Sequence, residues 1–225
     1  MEQVPLFLLL FYALYEGLLH AFEADHVLAV TTIVSQREEV RPALKDGIFW
    51  GLGHTSTIFL IGLVMMLLKV HIPEGSFSVF EAIVGLMLVT VASYRLYLFL
   101  RHEEVCIHRH GHQHRGTNEK PHLHVHGKGL HRASYGIGLV HGLAGSGALV
   151  VLVMTQIETL MGSFLYLILF GIGSIAGMTV VAGVFSLPFS GRLLHSKRLR
   201  VGLVLVSSAL CFGYGCYVAY SNLFA

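Results

Sequence analysis

A chain of 225 residues that is 54% hydrophobic and only 12% charged lies far from the usual soluble balance, so its solvent is expected to be lipid. The formal charge of +2 is too small to suggest a nucleic-acid partner. Cys106, Cys211 and Cys216 make no disulfide framework, and the two that fall in an apolar segment are expected to be small buried residues.

Apolar windows of about 20 residues, enough to cross ~30 Å of hydrocarbon, occur six times and predict an all-α, polytopic membrane fold. The first runs over 5–33. Its start lacks a basic n-region and its apolar run outlasts any cleavage site, so it is expected to stay as a helix. Within it the string His20-Ala21-Phe22-Glu23-Ala24-Asp25-His26 places two imidazoles and two carboxylates at membrane depth. Each such group costs at least ~2.5 kcal/mol even on lenient insertion scales, which makes a metal or proton path the default reading. On a continuous helix Glu16, His20 and Glu23 would share one face. Asp25 is then placed to orient an imidazole from another helix, and unwinding near Asp25 would let all the polar groups converge.

The second window, 47–68, contains His54 in Gly51-Leu52-Gly53-His54-Thr55-Ser56-Thr57, and the third covers 79–100 with Arg95 near its end. Arg95 is expected to snorkel to the interface. The following loop has nine histidines from His102 to His131, including His108, His110, His112 and His114, then His122, His124 and His126. Among Gly, Gln, Asn, Lys and Pro these cannot build a core, and they read as a metal buffer or sensor. The last three windows are 135–154, with His141, then 164–187 and 201–220.

Thirteen of the fifteen Lys and Arg lie in the first, third and fifth loops, which the positive-inside rule assigns to the cytoplasm, leaving both termini outside. The two halves also match. Gly17-Leu18-Leu19-His20-Ala21 aligns with Gly138-Leu139-Val140-His141-Gly142 at an offset of 121. Phe49 to His54 aligns with Leu169 to Ser174 at 120, and Val84 to Val89 with Val201 to Val206 at 117. Three matches in order indicate a 3+3 duplication, and an odd number of spans per unit makes the second copy inverted. The expected organisation is a three-helix unit over 1–100, a histidine-rich cytoplasmic loop over 101–133 and a second three-helix unit over 134–225.

His26, His54 and His141 each lie about 10 to 15 Å in from the cytoplasmic loops, so they can meet. Imidazoles with one or two carboxylates suit Ni²⁺, Co²⁺ or Zn²⁺ better than Mg²⁺ or Ca²⁺. The candidate metal residues are His20, Asp25, His26, His54 and His141, with Glu16 and Glu23 attracting the cation from outside. Thr55, Ser56 and Thr57 are expected to back-bond their own helix.

The string from His20 to His26 resembles the HxxxxDH signature of the nickel/cobalt transporter family. Trp50-Gly51-Leu52-Gly53-His54-Thr55 resembles that family's second motif, particularly in the shorter urease-accessory branch called UreH, and His141-Gly142-Leu143 is similar to that branch too. The resemblance implies that His20, Asp25, His26 and His54 select and carry the cation. It also implies Ni²⁺ or Co²⁺ as substrate, no prosthetic group and no enzymatic activity, with cytoplasmic metal acceptors of urease or hydrogenase maturation as partners. The chain departs from the larger members at Leu19, where they usually have Arg, at Glu23, where Asp is common, and at Val30-Thr31-Thr32, where an Asp-Asn pair often follows.

The expected function is a permease of the cytoplasmic membrane importing Ni²⁺, or secondarily Co²⁺. Its alternatives are a Ni²⁺, Co²⁺ or Zn²⁺ exporter, a membrane redox enzyme related to thiol-disulfide conductors, and a haem protein with axial histidines. The absence of HExxH argues against a zincin-type protease.

Overall fold

The structure, a computed structural model, describes residues 6–37, 39–68, 74–101, 130–157, 159–190 and 197–224. The histidine-rich run from His108 to His126 lies outside the described residues, as does Cys106. The described chain is helical: α1 (Leu6–His20), α2 (Ala24–Val34), α3 (Val40–Leu68), α4 (Glu74–Leu100), α5 (Leu130–Gln156), α6 (Leu160–Ser186) and α7 (Lys197–Phe224), with a 3-10 turn at Leu187–Phe189 after α6.

Four helices, α3, α4, α6 and α7, are long and apolar enough to cross a membrane, and the bent pair of α1 and α2 makes a fifth such candidate. This is a multi-pass membrane protein. Phe7, Phe11, Leu60, Leu86, Ile172 and Leu210 project outward, as side chains do when lipid rather than water covers the surface.

The first window is two helices instead of one. The chain turns at 21–23, where Phe22 N–H donates to the Leu19 carbonyl at 2.8 Å and Glu23 N–H to the His20 carbonyl at 3.1 Å. Glu23 is extended (φ −61°, ψ 151°), and α2 departs at 52° to α1. The carbonyl end of α1, which favours positive charge, therefore stops inside the molecule. The opposing amide end of α2 carries Asp25 in its first turn, whose negative charge suits that dipole.

Lipid offers little hydrophobic drive between helices, so they associate by close approach at small residues. Gly17 and Gly173 seat α1 against α6, where a Cβ on Gly17 would collide with the Phe170 carbonyl and one on Gly173 with the Leu14 carbonyl. Gly53 and Gly138 seat α3 against α5 in the same way, against the Tyr135 and Trp50 carbonyls. Residues rise together along each of these pairs, so α1 runs with α6 and α3 with α5. Helices α3 and α6 are antiparallel, with Gly47 against Met178 and Gly51 against Ile175. So are α4 and α7, which meet at Gly85 and Gly215.

One buried cluster holds Val30, Val34, Trp50, Leu88, Met178 and Cys211, and a second holds Ala13, Ile58, Met65, Tyr166 and Phe170. Two expectations are corrected. Cys216 is exposed on α7 while Cys211 is buried with its thiol toward the Leu88 carbonyl. Arg95 does not snorkel: it is buried, and its Nε–H donates to Ser35 Oγ at 2.9 Å, so it ties the end of α4 to the end of α2.

Candidate metal centre

Four helices deliver five polar side chains to one place. His20 ends α1, Asp25 and His26 open α2, His54 lies mid-way along α3, and His141 lies on α5. Continuous helix from α1 into α2 would have turned Asp25 and His26 away from His20. The break at 21–23 instead brings the His20 and His26 ring centroids to 4.5 Å.

The rings are mutually close, with His26 to His141 at 4.1 Å, His26 to His54 at 5.0 Å and His20 to His54 at 5.1 Å between centroids. Asp25 bridges two of them. One oxygen lies 2.9 Å from His26 Nδ1 and also accepts the His26 N–H at 2.8 Å, while the other lies 2.9 Å from His141 Nε2. Glu23, though 57% exposed, holds His20 Nδ1 at 2.9 Å, and this directs His20 Nε2 toward His54 Nε2, 3.1 Å away.

Two sets of three side chains place potential ligand atoms within 4.8 Å of one another: His20, His26 and His54, and Asp25, His26 and His141. His26 Nε2, His54 Nδ1 and His141 Nδ1 are buried without a hydrogen-bond partner. Unsatisfied buried nitrogens are costly, and the partnerless Nε2 of His26, the ring common to both sets, fits a place where a cation completes the coordination. Imidazoles with a single carboxylate are donors of intermediate softness, the set expected for Ni²⁺, Co²⁺ or Zn²⁺. Trp50 backs the cluster, its ring stacked on His26 at 5.8 Å.

Glu16, one turn before His20, is half-buried and belongs to neither set. Glu23 belongs to neither set and instead holds His20 from behind, at Nδ1. Of the three hydroxyls after His54, Ser56 back-bonds to the Leu52 carbonyl at 2.6 Å. Thr57 also back-bonds, to the Gly53 carbonyl at 3.4 Å, but lies closer to the Leu139 carbonyl of α5 at 2.8 Å, and Thr55 reaches the Gly171 carbonyl of α6 at 3.4 Å.

A cavity of ≈ 460 Å³ adjoins the cluster, bounded by Glu23, Asp25, Glu81, Tyr214, Tyr217 and Asn222 among others. It lies toward the side where α4 begins and α7 ends. Asp25 is 24% exposed, and it alone among the five clustered side chains lines this space. Glu81 was not anticipated as a site residue, although an ionisable residue inside the 79–100 window was the available signal.

The opposite side carries a second polar group. Asp46 accepts from Arg37 Nε at 2.6 Å and Arg37 Nη2 at 2.9 Å, lies 2.6 Å from His131 Nδ1, and accepts from Ser134 Oγ at 3.1 Å. Arg37 and Asp46 are 6% and 2% exposed. His131, the last residue of the nine-histidine run, is thus committed to α3 as well as stacked on Phe49.

The chain is 33% identical to the urease accessory protein UreH of Bacillus sp. (strain TB-90), over 98% of this chain and 94% of that protein. It is also 26% and 27% identical to the Arabidopsis thaliana chloroplast proteins FOR GROWTH AND FERTILITY 2 and 1. Those matches cover 93% and 92% of this chain but only 55% and 58% of the plant proteins. No family model and no solved structure matches. Near end-to-end identity with UreH carries the assignment: the chain belongs to the UreH family, the shorter urease-accessory branch that its first two motifs resemble.

Proposed function

We propose that this protein is a permease that carries Ni²⁺, and secondarily Co²⁺, into the cell through the His20, Asp25, His26, His54 and His141 cluster. The observation that carries the reading is the meeting of imidazoles from four helices with three of their nitrogens unpartnered. The relationship to a urease accessory protein supports it, because the family resemblance implies a nickel or cobalt substrate passed on to urease or hydrogenase maturation. The acceptors downstream would then be cytoplasmic maturation proteins.

Six spans in two inverted units would supply alternating access, with α1–α2, α3 and α4 corresponding to α5, α6 and α7. Two helix crossings support this duplication. Gly17 meets Phe170 and Ser174 as Gly138 meets Trp50 and His54, and Gly173 meets Leu14 and Leu18 as Gly53 meets Tyr135 and Leu139. These contacts interchange at the offsets of 121 and 120 between the halves.

Basic residues at the starts of α3, α5 and α7 and just after α4 (Arg41, Lys45, Arg132, Arg198 and Arg101) support a cytoplasmic location for that side. A potential of ~100 mV then favours inward movement of a divalent cation by ~4.6 kcal/mol, about a thousandfold, without an ATP-binding partner. The redox alternative requires a cysteine in the first span of each half, and His20 and His141 stand in those places.

Radiolabelled nickel uptake, with cobalt and zinc as competitors, tests the reading in cells expressing the native chain, His20→Ala or Asp25→Ala. Native uptake that both variants abolish is expected. Lowered cell nickel on expression of the native chain would replace import with export.

A further inference from the structure

We propose that the cation occupies two overlapping positions in turn, sharing His26: a cavity-facing one formed by Asp25, His26 and His141, and a sealed one formed by His20, His26 and His54. This rests on the transport reading above and adds an order of events to it.

The geometry distinguishes the two positions. Each set of three brings its ligand atoms within 4.8 Å, and His26 is common to both. Asp25 lines the ≈ 460 Å³ cavity together with Glu23 and Glu81, whereas none of the four histidines does, so the first position touches the cavity through its carboxylate alone. A hydrated cation entering the cavity therefore meets a carboxylate first. A carboxylate can hold a cation that keeps most of its waters, while each of three imidazole ligands displaces one of them.

His26 is built to serve both. Its Nδ1 is held by Asp25 at 2.9 Å and its Nε2 is buried without a partner. A neutral imidazole has one lone pair, so the ring ligates in one position at a time. Two divalent ions sharing so small a dry volume would also repel strongly, which makes the positions sequential.

The two sets differ in what holds them. The cavity-facing set joins α2 to α5, whereas the sealed set joins α1, α2 and α3. Passing the cation from the first to the second releases His141 and draws the end of α1 onto α3. Release of His141, which alone of these ligands comes from the second unit, links occupancy to a relative displacement of the two halves.

Trp50, the single tryptophan, gives the readout, because its ring lies 5.8 Å from His26 and 5.5 Å from His141. Purified full-length protein is mixed rapidly with Ni²⁺ and its tryptophan quenching followed, alongside nickel uptake into liposomes. The native protein is expected to quench in two phases, a fast one whose rate rises with Ni²⁺ concentration and a slower one that becomes independent of it. His54→Ala should keep the fast phase, with affinity weakened less than about tenfold, yet lose the slow phase and transport. His141→Ala should lose the fast phase. His20→Ala repeats the test of the sealed position should His54→Ala not fold.

One quenching phase in a native protein that transports nickel, abolished equally by His54→Ala and His141→Ala, would overturn the two-position order and leave the transport reading standing. A native protein that neither quenches nor takes up nickel would remove both.

Discussion

Asp25 is the residue on which the centre turns, because its two oxygens orient imidazoles from different helices and its outer edge faces the cavity. Asp25→Asn keeps the shape but removes the charge that a divalent cation needs. Nickel uptake should fall by about 10- to 100-fold or more. Glu23→Gln tests a different role. Glu23 touches His20 Nδ1 from a largely exposed position, and the amide oxygen of Gln still accepts from that ring, so uptake should fall by less than about tenfold. If the two substitutions prove equally severe in the same uptake assay, Glu23 is itself a ligand.

At the scale of the elements, glycines set how closely the helices that carry the ligands approach. Gly138 lies against the Trp50 carbonyl and side chain, whereas a Cβ on Gly136, two residues earlier on the same helix, would meet nothing within 4 Å. Gly138→Ala must push α5 away from α3 and should cost about 1–3 kcal/mol, lowering the thermal midpoint in detergent along with uptake. Gly136→Ala should be neutral or stabilising by up to ~1 kcal/mol, since alanine is the better helix former. Comparable melting losses in both would mean that close approach is not what the glycines provide. The break between α1 and α2 belongs to this scale too: it sets His20 facing His54, with the rings 5.1 Å apart.

For the molecule as a whole, the side away from the cavity is tied by Arg37, Asp46, His131 and Ser134, which join the end of α2 to α3 and α5. Asp46→Ala leaves a buried guanidinium without its carboxylate and should destabilise the fold by about 3–5 kcal/mol. Replacing both partners, Arg37→Met with Asp46→Leu, should restore part of that loss, since the desolvation cost of the charge pair disappears while His131 and Ser134 still lose their bonds to Asp46. Melting curves of the single and double variants compare the two. The cation provides a second whole-molecule test, because a ligand bound only by the folded state stabilises it through mass action. Ni²⁺ at a hundredfold over its dissociation constant should add about 2.7 kcal/mol, read as a raised melting temperature that a chelator reverses. A midpoint unmoved by Ni²⁺ at saturating concentration would speak against a nickel site in the folded protein.

The amino-acid sequence by itself determined that the chain is helical and lives in lipid, because apolar runs long enough to cross a bilayer are a one-dimensional property. It also singled out His20, Asp25, His26, His54 and His141, along with Glu16 and Glu23 that fall in neither set of three, since ionisable groups at membrane depth are expensive wherever the helices finally sit. Tertiary structure decided what those groups do to one another. That α1 stops at His20 depends on a turn without proline or glycine, and that Glu23 stands behind His20 depends on the same turn. Arg95 shows why depth alone is insufficient: counted along the chain it lies near an interface, yet Ser35 of a distant segment gives it a buried partner. Glu81 and Asp46 acquire their meaning in the same way, one from the cavity it borders and the other from the arginine and histidine it holds. Hydropathy reports the energy of a residue against lipid, whereas pairing energies depend on distances between helices that only packing establishes.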